Sequence, residues 1–171
     1  MKLRHRFSLL CMAVLFATTA AFPREVSTDF DHHADFSRFK TYSWSKVATP
    51  NSLWDERVKE AIDQELSAKG WTQVPTGGDV SIVAVGTTRE RETLETFYTG
   101  MGWHWRGFGD AITEVQPYKV GTLVVDMFDT STQKLIWRGT ASDVLASKPD
   151  KNVKELEKDV HKMFEHFPPS V

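Results

Sequence analysis

The chain has 171 residues, 40% of them hydrophobic, with 21 basic against 23 acidic side chains, which is the size of one domain with a mildly acidic balance. That balance excludes the clustered positive charge of a nucleic-acid footprint, and no long basic run exists to hold an anionic membrane surface. A single cysteine excludes an intrachain disulfide.

The N-terminus reads as a secretory signal: a basic stretch from Lys2 to Arg6, an apolar core from Phe7 to Ala17, then the small residues Thr18-Thr19-Ala20-Ala21. The core is shorter than the ~20 residues a membrane-spanning helix needs, and Pro23 follows at once, so cleavage after Ala20 or Ala21 is expected, leaving no stable membrane span. Residues 1–21 are thus read as a cleaved signal peptide and 22–171 as one domain. Cys11 lies inside the apolar core after Leu10, where it cannot serve as a lipidation site, and leaves with the signal. Lys2, Arg4 and Arg6 leave too, so 18 of the 21 basic side chains remain against 23 acidic ones. The expectation is an exported, periplasmic or envelope-associated protein that is not lipidated.

Val26-Ser27-Thr28-Asp29-Phe30 alternates as a half-buried strand does, and Lys40-Thr41-Tyr42-Ser43-Trp44 does so again, so two strands open the domain. A helix follows: Ser52 is placed to cap it with Asp55 three residues on, and Trp54, Val58, Ala61, Ile62 and Leu66 share one face. Gly70 suits its left-handed C-terminal position, with Trp71 able to pack back on the last turn. Asp55, Lys59, Asp63, Glu65 and Lys69 read as its solvated side.

Asp79 to Val85 is nearly continuous apolar sequence, a strand covered on both sides or central in its sheet, and it runs on into Arg89-Glu90-Arg91-Glu92, where charges at strand spacing protect an edge or a projecting arm. The segment 97–109 holds four Gly and five aromatic residues and is expected to be the least ordered part of the domain, at the tip of that arm. Gly121 to Asp129 and Leu135 to Ala141 form a hairpin around the polar Thr130 to Lys134. The period of two puts Leu123, Val125, Met127, Leu135, Trp137 and Ala141 on one face. A three-residue turn would set Asp126 opposite Arg138 on the other face, as a structural cross-strand pair. A last helix starts near Asn152, presents Val153, Leu156, Val160, Met163, Phe164 and Phe167 along one face, and ends at Pro168-Pro169. This order describes an α+β two-layer sandwich: a mostly antiparallel sheet with both helices on one face.

Several of these segments carry a likeness. Asp29-Phe30-Asp31, Ala34-Asp35-Phe36, Phe39-Lys40-Thr41-Tyr42-Ser43-Trp44, Ala61-Ile62-Asp63, Leu66 through Gly70-Trp71, Gly121 to Asp126, Leu135 to Ala141, Met163-Phe164 and Phe167-Pro168-Pro169 stand in an order that resembles the bacterial domain of unknown function 4136 family. The resemblance implies a fold and an envelope compartment, and no activity, since the family has none assigned. Many members look lipidated after the signal; this chain lacks the cysteine for it.

The candidate sites are few. Asp31-His32-His33-Ala34-Asp35 offers imidazole and carboxylate ligands, yet its spacing matches no metal signature and adjacent histidines on a strand point to opposite faces, so it reads as a polar turn and no metal or cofactor is expected. His161 and His166, five residues apart on the last helix, do not converge and read as solvent-side. No nucleophile elbow, phosphate loop or supported carboxylate pair is present, so nothing in the sequence argues for catalysis. Tyr98, Trp103, His104 and Trp105 form the one candidate ligand-binding set, because aromatics on a flexible loop stack on sugar rings or enter acyl chains; the alternative is that they fold over the sheet. The leading expectation is a non-catalytic envelope module that meets an envelope protein or glycan, with carbohydrate or lipid binding through the aromatic loop as the second reading and a hydrolase or metalloenzyme as the third.

Overall fold

Six strands form one mixed sheet in the order β1-β6-β5-β4-β2-β3, covered on one face by two helices, in a computed structural model that describes residues 24–98 and 111–169. In chain order these are β1 (Glu25–Phe30), β2 (Thr41–Ala48), α1 (Ser52–Ala68), β3 (Thr72–Gln73), β4 (Val80–Tyr98), β5 (Ala111–Asp129), β6 (Leu135–Val144) and α2 (Pro149–Phe164). The α+β sandwich expected from the element order is the observed fold. The N-terminal segment with Cys11 that was read as a signal lies outside the described residues, as do Trp103, His104 and Trp105.

The two opening strands do not pair with each other. β1 is antiparallel to β6 at one edge, whereas β2 runs parallel to both β4 and β3, so the sheet is antiparallel from β1 to β4 and parallel beyond. β4 is central, as its apolar run suggested, but only one of its faces is covered: Val80, Ile82 and Ala84 are buried, whereas Val85 is 37% exposed. Without helices on the second face, β-branched residues there remain half in solvent.

Helix boundaries fall slightly earlier than the sequence suggests. Asn51, not Ser52, caps α1, its Oδ1 accepting from the Trp54 N–H at 3.3 Å, while Asp55 reaches back to the Thr49 N–H at 2.9 Å. At the other end Gly70 takes φ +80°, and the Trp71 N–H returns to the Leu66 carbonyl at 3.0 Å, which folds the Trp71 ring under the helix. α2 begins at Pro149, which needs no N–H there; Asn152 instead exchanges two hydrogen bonds with the Ala146 backbone, at 2.7 and 2.8 Å. The helix charges are also less solvated than their spacing implied. Asp63 accepts from the Tyr42 hydroxyl at 2.7 Å and from Trp44 Nε1 at 3.0 Å, pinning α1 to β2. Burial, reinforced by that carboxylate, raises the Tyr42 hydroxyl well above its ordinary pKa.

The core sits between the helices and the inner sheet face, where Leu123, Val125, Met127, Trp137 and Ala141 are all buried. Leu135 departs from this set. The ladder slips after Met127, so that Phe128 faces Leu135 and Ile136 becomes an extra residue; Ile136 turns inward and Leu135 is left 38% exposed. The hairpin loop is accordingly Thr130 to Lys134 with a bulge, not a three-residue turn. Gly139 lies under the Trp137 ring: a Cβ there would stand 2.5 Å from that ring and 2.6 Å from the Met163 sulfur.

These contacts separate three substitutions. Trp137→Ala should cost about 3–5 kcal/mol, because a buried indole leaves a cavity. Leu135→Ala should cost under ~1 kcal/mol, since little buried surface is lost. Gly139→Ala should cost about 1–3 kcal/mol by overpacking. Denaturant titration measures all three; a Leu135→Ala cost matching that of Trp137→Ala would overturn the bulged register.

Candidate functional site

Two features stand out on this body, and they adjoin. β4 and β5 stay paired far past their neighbours: the last β2 partner of β4 is Val85 and the last β6 partner of β5 is Val120, yet the β4–β5 ladder continues from Arg89↔Val120 to Tyr98↔Ala111. From Glu90↔Lys119 outward that is nine further residue pairs, an arm of about 30 Å at the usual rise per residue. Tyr98 ends β4 at its far end, and the sequence 99–110, with Trp103, His104 and Trp105, connects there.

At the root of the arm lies a groove of about 250 Å³ between the first turns of the two helices and the sheet, with Trp54, Val58, Leu123, Val144, Leu145 and Leu156 in its walls. One rim is ionic. Arg24, just ahead of β1, meets Asp143 of β6 at 3.0 Å, Glu155 of α2 in a short contact, and Asp159 of α2 with Nε 2.6 Å from Oδ1. Three carboxylates therefore share one guanidinium, joined by Lys158, 3.1 Å from Glu155. The Arg24 pKa is raised against desolvation by its hydrogen bonds to Asp143 and Glu155, while Glu155 is lowered chiefly by Lys158. Asp159, 7% exposed, goes the other way: burial, with Asp143 and Glu155 adding repulsion that Arg24 and Lys162 only partly offset, lifts it to about 6. Neither Arg24 nor Asp159 stood out in the sequence, because the cluster joins the residue ahead of β1 to β6 and α2.

Elsewhere on the body several charged side chains are committed to the scaffold. Asp126 and Arg138 face each other directly and pair through two bonds of 2.6 and 2.7 Å on the sheet face away from the helices, with Asp29 next in the same row across β1. In the turn after β1, Asp31 accepts from the His33 N–H and Asp35 from the Ser37 N–H and hydroxyl, while His32 lies against the Phe30 ring. Asp79 and Asp129 are lowered by the backbone N–H groups of Lys40 and Thr41 and by the Ser131 hydroxyl, respectively. His161 crosses to Glu65 of α1 at 2.9 Å, tying the helices together, and His166 is exposed. Among the described residues no group of three His, Cys, Asp or Glu side chains is placed to hold a metal ion, and no helix is long and apolar enough to cross a membrane.

The ionic rim makes a pH prediction with a definite sign. A folded-state pKa of about 6 against an unfolded 3.8 means that Asp159 supports the fold when protonated, fully below about pH 4, and loses that support as pH rises through 6. The lowered carboxylates Asp79, Asp129 and Glu155 act oppositely and lose their support only below about pH 4. Asp159→Asn should therefore gain on the wild type in melting temperature between pH 4 and 7. A difference that is flat over that range would contradict the environment described.

The chain was compared with known proteins. No curated protein matches it. A PDZ domain protein from Parabacteroides distasonis shares its fold with a TM-score of 0.59 at 15% identity, over 86% of this chain and 37% of that one. A PelC dodecamer from Paraburkholderia phytofirmans aligns with a TM-score of 0.49 at 11% identity over 83% of this chain and 97% of that one, and lipoprotein GNA1162 from Neisseria meningitidis with 0.42 at 11% over 74% and 99%. Likeness at this identity speaks for the fold alone, and the chain spans little more than a third of the first of these proteins. The sequence model of the Domain of unknown function (DUF4136) family matches residues 26–169, all of the described body and arm but Arg24 and Glu25, and the chain belongs to that family.

Proposed function

We propose that this protein is an exported, non-catalytic module of the bacterial cell envelope that meets its partner through the β4–β5 arm. The observation carrying this reading is the arm itself: nine residue pairs extend past the body with no further strand beside them among the described residues, a length of ladder that the core does not require. The order of basic, apolar and small residues ahead of Arg24 supports export without lipidation. The commitment of Asp63, Asp79, Asp126 and Asp129 to hydroxyl, indole, backbone and guanidinium donors supports a scaffold over a catalytic centre.

A second reading places envelope glycan or lipid binding at the far end of the arm, through Tyr98, Trp103, His104 and Trp105. It is favoured by the end of the described ladder at Tyr98↔Ala111, nine residue pairs out along the arm.

The test replaces Arg91 to Tyr118 by Asn-Gly, a two-residue hairpin loop, and follows both proteins in fractionated cells. The full chain should appear in the periplasmic fraction and be retained by the envelope; the shortened chain should melt within a few degrees of it and lose retention. Cytoplasmic residence of the full chain, or unchanged retention of the shortened one, would refute the proposal. Retention on protein-free sacculi or lipid vesicles that is lost in Trp103→Ala/Trp105→Ala would select the second reading.

A further inference from the structure

Arg24, the first described residue, stands on the rim of the groove at the root of the arm, in contact with Asp143, Glu155 and Asp159. Those three carboxylates are the charged groups in the groove wall, with no Lys or Arg among the described lining residues. Lys158 meets Glu155 from the solvent side, 61% exposed, and Lys162 offsets Asp159 by charge. Trp54, Val58, Leu145 and Leu156 make the wall between them apolar. Such a site suits an apolar group that carries one positive charge, because carboxylates drawn out of water are stabilised by an ammonium beside them. Its volume of about 250 Å³ exceeds the ~150 Å³ in which an apolar cavity takes a benzene ring.

We propose that the occupant is this chain's own N-terminal end: the Phe22 ring fills the groove, and the α-ammonium freed by signal cleavage stands among Asp143, Glu155 and Asp159. The register of β1 on β6 carries the argument. Val26 lies opposite Ala141 and Phe30 opposite Trp137, and both of those partners are buried on the helix side of the sheet. Arg24 has the same parity, and it reaches Glu155 and Asp159 of α2. Two residues further back, about 7 Å along the same edge, the register sets Phe22 opposite Leu145, and parity turns it toward the helices. Leu145 is already in place: its N–H bonds the Lys119 carbonyl at 2.8 Å, continuing β6 along β5, and its side chain lies over Gly121 in the groove wall. Pro23 lacks an N–H, which an edge strand such as β1 tolerates at its start. The proposal rests on the export reading, because cleavage after Ala20 or Ala21 puts the new ammonium on Phe22 or on the residue before it. A ring tethered two residues from the rim has an effective concentration of roughly millimolar or more, so it excludes a free amine of the same chemistry.

The test uses the full chain expressed with its own N-terminus and purified from the periplasm, with its intact mass read first. In the cleaved product the Phe22 ring protons should show nuclear Overhauser contacts to the Leu145 and Leu156 methyls. Phe22→Ala should lower the melting temperature by about 3–8 °C, and Phe22→Leu should restore most of that loss. Phenethylamine, an aromatic ring bearing a primary ammonium, should shift the Leu145 and Leu156 methyl signals of Phe22→Ala and bind the wild type at least roughly tenfold more weakly. A cleaved product whose Phe22 ring makes no such contacts, or an unchanged melting temperature in Phe22→Ala, would overturn the proposal. Equal binding of phenethylamine to both proteins would do so too, by showing a groove open to an amine from outside. A product that still carries residues 1–21 would take the export reading down with it, whereas the other outcomes leave that reading standing.

Discussion

Phe167 is the point on which the body depends. Its ring touches those of Phe36, Trp71, Trp137 and Phe164 at centroid distances of 5.2 to 5.9 Å, and these four come from the turn after β1, the exit of α1, strand β6 and helix α2. Edge-on contacts of this kind have preferred geometry as well as buried area, so they orient segments and do not merely gather them. Phe39 extends the cluster through Phe36 and Trp71. The short residues around it are part of the same constraint: Gly139 is bare because the Trp137 ring lies across it, and the C-terminal turn must return to the sheet for Phe167 to reach the centre.

A core of this kind fills only one side of the sheet, and that has consequences for the rest of the molecule. The helices cover the inner face near the aromatic cluster and near Asp63, which fastens α1 to Tyr42 and Trp44. Past Val85 and Val120 the β2 and β6 ladders end, the Leu145 N–H reaches the Lys119 carbonyl at 2.8 Å, and among the described residues no further strand lies beside β4 and β5. The charged pattern from Arg89 to Glu92 belongs to that change of environment: an apolar run suits the covered part, and a two-signed polar run suits a ribbon in water.

The root of the arm is also where the ionic cluster sits. Arg24 ties the start of the described chain to β6 and α2, and its three carboxylate partners hold more negative charge than it neutralises. Burial of Asp159 beside Asp143 and Glu155 raises its pKa to about 6, a rise that Arg24 only partly offsets. The groove, the clasp and the first residues of the arm are therefore mechanically adjacent, although each is made from different elements.

Much of this was legible in the residues themselves. Periodicity placed both helices and the hairpin, the alternating charges marked the arm, and the family likeness spanned the same segments that the family's sequence model matches. Local signals suffice there, since a strand or helix declares its buried face by a period of two or 3.6. What the sequence could not determine was everything that depends on which elements meet. β1 and β2 follow each other in the chain but lie on opposite sides of the β4–β5–β6 ladder, because β6 and β4 offer the free edges. Asp63 and Glu65 read as solvated until the docking of α1 on β2 and α2 gave them partners. Leu135 and Ile136 exchanged faces through a one-residue slip that strict alternation cannot foresee. The Arg24 cluster joins residues 119 and 131 positions apart, a separation across which charge and spacing carry no information until the chain has closed on itself.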